Sequence, residues 1–177
     1  TFLFTLGNSS NSFLLLRASD IGFDGGDTIL LYFLYNVTAS ALAIPCGKLS
    51  DKIGRKRVLV VGYLTFSLVY FGFALCKTKL LMALIFVIYG GYTAMTAGGE
   101  RAFIAESAPP QLKGTMLGLH SMLAGIALLP ASVIAGLLWD GIGAAAPFIF
   151  GGGLSLLSAV ILALKLGDAA GMPKDSI

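Results

Sequence analysis

Charge is scarce in this sequence. Of its 177 residues 12% are charged, where a soluble domain carries about 25%. Histidine occurs once and cysteine twice. So little charge could not cover a water-facing surface. With 56% hydrophobic residues and a mean hydropathy of +0.88, the solvent for most of the chain is lipid. The lone His120 has no Cys or His neighbour, so no metal-ligand cluster can be drawn and no cofactor is expected. Cys46 and Cys76 fall on opposite sides of a bilayer. A disulfide needs Cα atoms within about 7 Å, so both read as small buried hydrophobes. The formal net charge is +3, and the cations are clumped rather than striped, which gives nucleic-acid binding little support. The triplets Asn8-Ser9-Ser10 and Asn36-Val37-Thr38 lie inside apolar runs that glycosylation could not reach. There is no initiator methionine and no signal pattern with a basic flank, so the chain reads as a cut piece.

Long apolar runs are what remain. A membrane helix needs about 20 mostly apolar residues. Six can be drawn, over 2–17, 29–49, 58–76, 80–104, 115–139 and 147–166. They make one transmembrane domain, followed by a polar tail over 167–177. The first is polar at its centre, Asn8 to Ser12, and its beginning is expected to lie outside this sequence. Pro109 and Pro110 bar the fourth from continuing. Pro130 is expected to kink the fifth.

Lys and Arg fix the expected orientation. Lys48, Lys52, Arg55, Lys56, Arg57, Arg101, Lys113, Lys165 and Lys174 collect on one side; Arg17, Lys77 and Lys79 fall on the other. The richer side is read as the cytoplasm, where the C-terminus also ends. Arg17 is expected to snorkel to the outer interface. Glycine is abundant, with 23 residues. Small residues let helices approach closely in lipid, and Gly114-x-x-x-Gly118 has that spacing.

The densest polar feature is Gly47 to Arg57, between two apolar runs. It holds five cations, the carboxylate Asp51 and two glycines. Gly47 permits close helix contact, Gly54 allows a sharp turn, and Asp51 sits beside cations at a helix end. A partly dry ion pair there is stronger than an exposed one. A plain basic corner on the inner side is the simpler reading.

The spacing G-x-x-x-D-K-x-G-R-K resembles motif A of the major facilitator superfamily, matched at Gly47, Asp51, Lys52, Gly54, Arg55 and Lys56. The resemblance implies a twelve-helix transporter of two six-helix halves, each made of two inverted three-helix repeats. It implies that the motif locks the cytoplasmic side when the substrate site faces outward. It also implies an integral protein of a bacterial inner (plasma) membrane. The fifth helix lacks the Gly-Pro pattern often seen in drug-exporting N-terminal halves. The stretch from Ala135 to Phe148 looks like the turn between helices eleven and twelve, so the chain is read as the C-terminal half, helices seven to twelve. Its partners would be the N-terminal half, the lipid bilayer, a small-molecule substrate and protons.

A second polar cluster runs from Gly98 to Glu106. Glu106 could meet Arg55 or Arg57; with Arg101 it resembles the family's charge relay. Glu100 lies about one turn deeper. An ionisable group in a membrane helix faces the bundle interior or water, so Glu100 is either a proton site or half of an interfacial ion pair. His120 reads as a packing residue before a proton carrier. Asn8, Asn11, Asn36, Tyr89 and Tyr92 are candidates for a substrate cavity, alongside Ser9, Ser12, Thr38, Ser40 and Thr96; hydrogen bonding between helices is the alternative. No nucleophile stands beside a base, and no paired carboxylates lie at mid-depth, so an enzyme is not expected. Two readings stay open: symport, antiport or facilitated transport by alternating access, or a non-transporting scaffold of the same fold.

Overall fold

The computed structural model describes residues 2–169. Its elements are α1 (Phe2–Gly7), α2 (Ser12–Asp20), α3 (Gly25–Ile53), α4 (Arg55–Leu75), α5 (Lys79–Thr96), α6 (Gly99–Ser107), a 3-10 turn (Pro110–Leu112), α7 (Lys113–Gly141) and α8 (Ala146–Ala169). Among the described residues there is no strand. Among the described residues, five stretches are long and apolar enough to cross a membrane: Gly25–Ile53, Arg55–Leu75, Lys79–Ser107, Pro110–Gly141 and Ala146–Leu164. The protein is an all-α membrane bundle.

Several boundaries differ from those drawn on hydropathy. The first helix, expected over 2–17, is two helices, because Ser10 Oγ accepts the Ser12 N–H at 3.3 Å and offers the backbone a non-helical alternative. The second, expected over 29–49, begins earlier, where Asp24 caps it by accepting the Asp27 N–H at 2.8 Å. It also runs on through the basic stretch to Ile53, since polar residues at an interface are hydrated without leaving the helix. Only Gly54, at φ 96°, turns the chain into α4. The fourth, expected over 80–104, is interrupted at Ala97 and Gly98, where a Gly-Gly pair favours a break. The fifth remains one α-helix through Pro130, from Lys113 to Gly141. The sixth extends to Ala169, and the rest of the polar tail, 170–177, lies outside the described residues.

α4 is the central rod, packed against α8 and α5. α3 lies on α5, while α1 lies on α8 and α7. Exchanging the first three spans (α1–α2, α3, α4) with the last three (α5–α6, α7, α8) turns the α3–α5 contact into α7–α1. It turns α4–α5 into α8–α1 and maps α4–α8 onto itself. This is the pairing that two inverted three-helix repeats produce.

The core is aromatic and the periphery aliphatic. Phe66, Tyr70 and Phe73 of α4, Phe86 and Tyr89 of α5, and Phe148 of α8 are buried, while Leu68, Leu84 and Leu129 face outward. Phe66 stacks on Tyr70 at 3.9 Å, and Phe4 stacks on Tyr63 at 4.2 Å. Close helix approach falls at particular glycines. A Cβ on Gly90 would lie 2.7 Å from the Tyr35 carbonyl, and one on Gly62 would lie 2.6 Å from Thr96 Cγ2. The Gly114–Gly118 pair does not serve this purpose within the chain, because nothing lies within 4 Å of either position. α7 turns Ala127, Ala131 and Ala135 inward instead.

Candidate functional site

The basic corner is built by local geometry. The end of α3 carries Asp51, Gly54 reverses the chain, and Arg55 opens α4 four residues after Asp51. Arg55 Nη2 donates to Asp51 Oδ1 at 3.3 Å. Its Nε lies 3.0 Å from Glu106 Oε1, at the far end of α6. One guanidinium therefore bridges the first three-helix repeat to the second. Of the two arginines offered to Glu106, Arg55 takes it and Arg57 is exposed. Lys52 is exposed and Lys56 half-buried. Arg101 is exposed and, among the described residues, joins no ion pair. Gly47 meets nothing within 4 Å, so within this chain it serves no close contact. Both carboxylates are more than half exposed, which puts each pair at about 0–1 kcal/mol.

Glu100, in the first turn of α6, is held from two sides. Tyr63 Oη of α4 donates to its Oε1 at 2.7 Å, and His120 Nε2 of α7 stands 3.7 Å from its Oε2. The side chains of His120 and Glu100 are 14% and 18% exposed. Nothing in the sequence joins these three residues, which are 37 and 20 positions from one another across Glu100. The single histidine was the only available signal.

The cavity candidates divide. Asn8 and Tyr92 line a cavity of about 370 Å³ with Thr93, Thr96 and Glu100, closed on one side by Ala124 and Gly125 of α7. Pockets of roughly 300–1,000 Å³ hold small molecules. Asn11 and Tyr89 are instead partners: Tyr89 Oη donates to Asn11 Oδ1 at 2.9 Å, tying the broken first span to α5. Asn36 donates to the Tyr32 carbonyl of its own helix at 2.7 Å. It lines a separate groove of about 530 Å³ between α3 and α5–α6, which reaches Asp51 and Arg55.

At the opposite end of the bundle Arg17 does not snorkel. Its Nε donates to the Phe73 carbonyl at 3.1 Å and its Nη2 to those of Ala74 and Cys76 at 3.2 Å each, while Nη1 pairs with Asp20 at 2.5 Å. The guanidinium caps α4, whose last carbonyls have no partner within the helix. Nearby, Lys79 lies 3.8 Å from Asp27 and 5.0 Å above the Phe23 ring. Helical spacing predicts neighbours at i+3 and i+4; it is silent on a cap supplied from another helix.

Fold and polar clusters define an integral membrane protein, a helical bundle with a charged corner at one end and a polar cavity within. The chain belongs to the major facilitator superfamily, whose family model matches residues 1–176. It is similar to the uncharacterized MFS-type transporter MJ1317 of Methanocaldococcus jannaschii, 37% identical over 166 residues that cover 90% of this chain and 42% of that protein. It is also similar to the quinolone resistance protein NorA of Staphylococcus aureus (strain MRSA252), 26% identical over 149 residues, covering 84% and 38% respectively. The chain spans about two fifths of the length of these curated relatives. Family membership points to a transporter rather than an enzyme.

Proposed function

We propose that the intact protein carrying this chain is a secondary transporter that moves a small solute by alternating access, with this chain as its C-terminal six-helix half. The basic corner faces the cytoplasm of a plasma membrane, and the C-terminus ends on the same side. The observation that carries this reading is Arg55 held between Asp51 and Glu106, a bridge between the two repeats at one membrane face. Two ion pairs of about 0–1 kcal/mol each suit a contact that must break once per cycle. Their loss, up to about 2 kcal/mol together, shifts a two-state equilibrium by up to about thirtyfold, since 1.4 kcal/mol is a factor of ten. Arg55→Ala in the intact protein, reconstituted in liposomes, is expected to slow solute uptake about three- to tenfold. The unfolding temperature should stay close to wild type. Arg55→Lys should recover only part of the rate, because an ammonium cannot hold both carboxylates with a planar fork. Full activity in both variants would leave the corner a mere orientation signal.

The reading also needs a second half to complete the cavity. α3 and α7 are exposed along most of their length. Gly118 and Gly125 meet nothing within the chain. An opposing helix can approach closely there. Gly118→Leu and Gly125→Leu are expected to leave this half folded while weakening its recovery with a separately expressed N-terminal half. Undiminished co-purification would place the second half elsewhere.

The cavity lined by Asn8, Tyr92 and Glu100 is the proposed solute site, with Glu100 as the group that couples transport to protons. The scaffold reading draws on the Asn11–Tyr89 bond, which consumes two cavity candidates in helix contact. Solute movement in reconstituted liposomes decides between them.

A further inference from the structure

We infer that the groove between α3 and α5–α6 is a second binding site, for a small uncharged molecule that hydrogen-bonds, with the Ser50 hydroxyl as its anchor. Its use as a station for the solute rests on the transport reading; its existence does not. The groove holds about 530 Å³, within the range of small-molecule pockets. A stripe of α3 forms one wall. Asn36, Ser40, Ala43, Gly47 and Ser50 recur at steps of four and three residues, so they share one helix face over about 21 Å. Thr93, Ala97 and Gly98 stand across from it. The helices do not close on each other here, since a Cβ on Gly47 or Gly98 would have nothing within 4 Å. They do close further along, where one on Gly90 would lie 2.7 Å from the Tyr35 carbonyl.

Ser50 is what marks the groove as a site. It is 7% exposed, and its Oγ has no hydrogen-bond partner. Other hydroxyls on these helices satisfy themselves on the carbonyl four residues back: Thr38 on Leu34, Thr93 on Tyr89, Thr96 on Tyr92 and Ser158 on Leu154. Ser50 does not, although Cys46 stands at that spacing. A buried hydroxyl left unpaired is destabilising, and a ligand that bonds it relieves that penalty.

The walls set the class of ligand. Among the described residues the charges lining the groove are Asp51 and Arg55, paired at 3.3 Å. Arg55 is held again by Glu106 at 3.0 Å. A charged ligand would have to break that bridge to find a partner. Asn36, Ser40 and Ser50 offer amide and hydroxyl groups to an uncharged one. Thr93 and Ala97 also line the Glu100 cavity, so the two spaces adjoin. A molecule that leaves this cavity along α3 reaches Ser50 beside the basic corner.

The test uses the intact protein in lipid nanodiscs and the half-buried Cys46, which lines the groove about one turn from Ser50. The probe is hydroxyethyl methanethiosulfonate, a small uncharged thiol reagent with a hydroxyl of its own. It leaves a mixed disulfide on Cys46 that peptide mass spectrometry counts. The rate is expected to saturate with reagent concentration, because binding precedes reaction. Ser50→Ala should raise the half-saturating concentration about three- to tenfold, the worth of one neutral hydrogen bond. Its unfolding temperature should be no lower than wild type. Trimethylammonium and sulfonate reagents of similar size, each scaled to its rate with a free thiol, should label at least about tenfold more slowly, since their charge loses water without gaining a partner. Gly98→Leu, on the facing wall, should fill the groove and protect Cys46; Gly47→Leu serves if that variant does not fold. A rate linear in the uncharged reagent, or half-saturation unmoved in Ser50→Ala, would overturn the site. Charged reagents that label as fast would overturn the ligand class. These measurements involve no transport, so either result leaves the transport reading standing. A saturable, Ser50-dependent site in a protein that moves no solute in liposomes would sink the transport reading alone.

Discussion

Gly151→Val removes most of the folded protein from the membrane. Gly151 lies in α8 where it crosses α1 and α4. A Cβ there would collide with the Gly7 carbonyl and lie 2.8 Å from two ring carbons of Tyr70. Neither neighbour can give way. Tyr70 is fully buried, stacked on Phe66 at 3.9 Å and set edge-on to Phe148 at 5.5 Å. Gly7 is pinned in turn, since a Cβ on it would lie 2.9 Å from the Gly151 carbonyl. The same seam is stitched by hydroxyls: Ser67 Oγ donates to the Gly152 carbonyl at 2.9 Å, and Ser155 Oγ to that of Tyr63 at 2.8 Å. Moving α8 outward to admit a side chain would stretch both. Overpacking by one methyl costs about 1–3 kcal/mol, and valine adds two further carbons. Gly151→Ala is therefore expected to lower the unfolding temperature by several degrees, at about 2–4 °C per kcal/mol for a chain of this size. Gly153→Ala, two positions on with nothing within 4 Å, should match wild type. Size-exclusion yield and thermal melts in detergent check all three. A well-folded Gly151→Val protein would show that this crossing is looser than described.

Arg17→Met has the second large effect. The methionine keeps the apolar stem but strips three hydrogen bonds from the last carbonyls of α4 and leaves Asp20 without its partner. Hydrogen bonds to charged groups are worth about 1.5–3 kcal/mol each and are not additive, so a total loss of about 2–4 kcal/mol is expected. The Arg17 side chain is 12% exposed, and its bonds to the carbonyls are partly buried. Arg17→Lys should recover less than half of the loss, because one ammonium cannot reach three carbonyls from a planar fork. The measurement is the unfolding temperature at low and high salt. A snorkelling arginine would give the Met variant a wild-type melt.

Some of this architecture is local and therefore legible. Lipid as the solvent follows from scarce charge. The apolar runs follow from hydropathy. The corner at Gly54 follows from a cluster no membrane interior would accept, and Asp51 and Arg55 meet because the turn at Gly54 brings the start of α4 back to the end of α3. The two breaks were harder to see. Asn8 to Asn11 and Gly98–Gly99 stood out as polar or flexible spots, but hydropathy averages over them. Apart from Arg55 with Glu106, contact between spans was not legible. Glu100 with His120, Arg17 with the end of α4, Asn11 with Tyr89 and Gly7 with Gly151 all join distant segments. In water, an amphipathic stripe tells which face of a helix is buried. In lipid both faces are apolar, so Leu68 can face outward and Phe66 inward on one helix with no polarity to distinguish them. Sequence alone determined the medium, the number of apolar segments and their charged corner. Only tertiary packing decided how each helix is rotated, because in a bilayer that choice depends on fit between side chains rather than on avoidance of solvent.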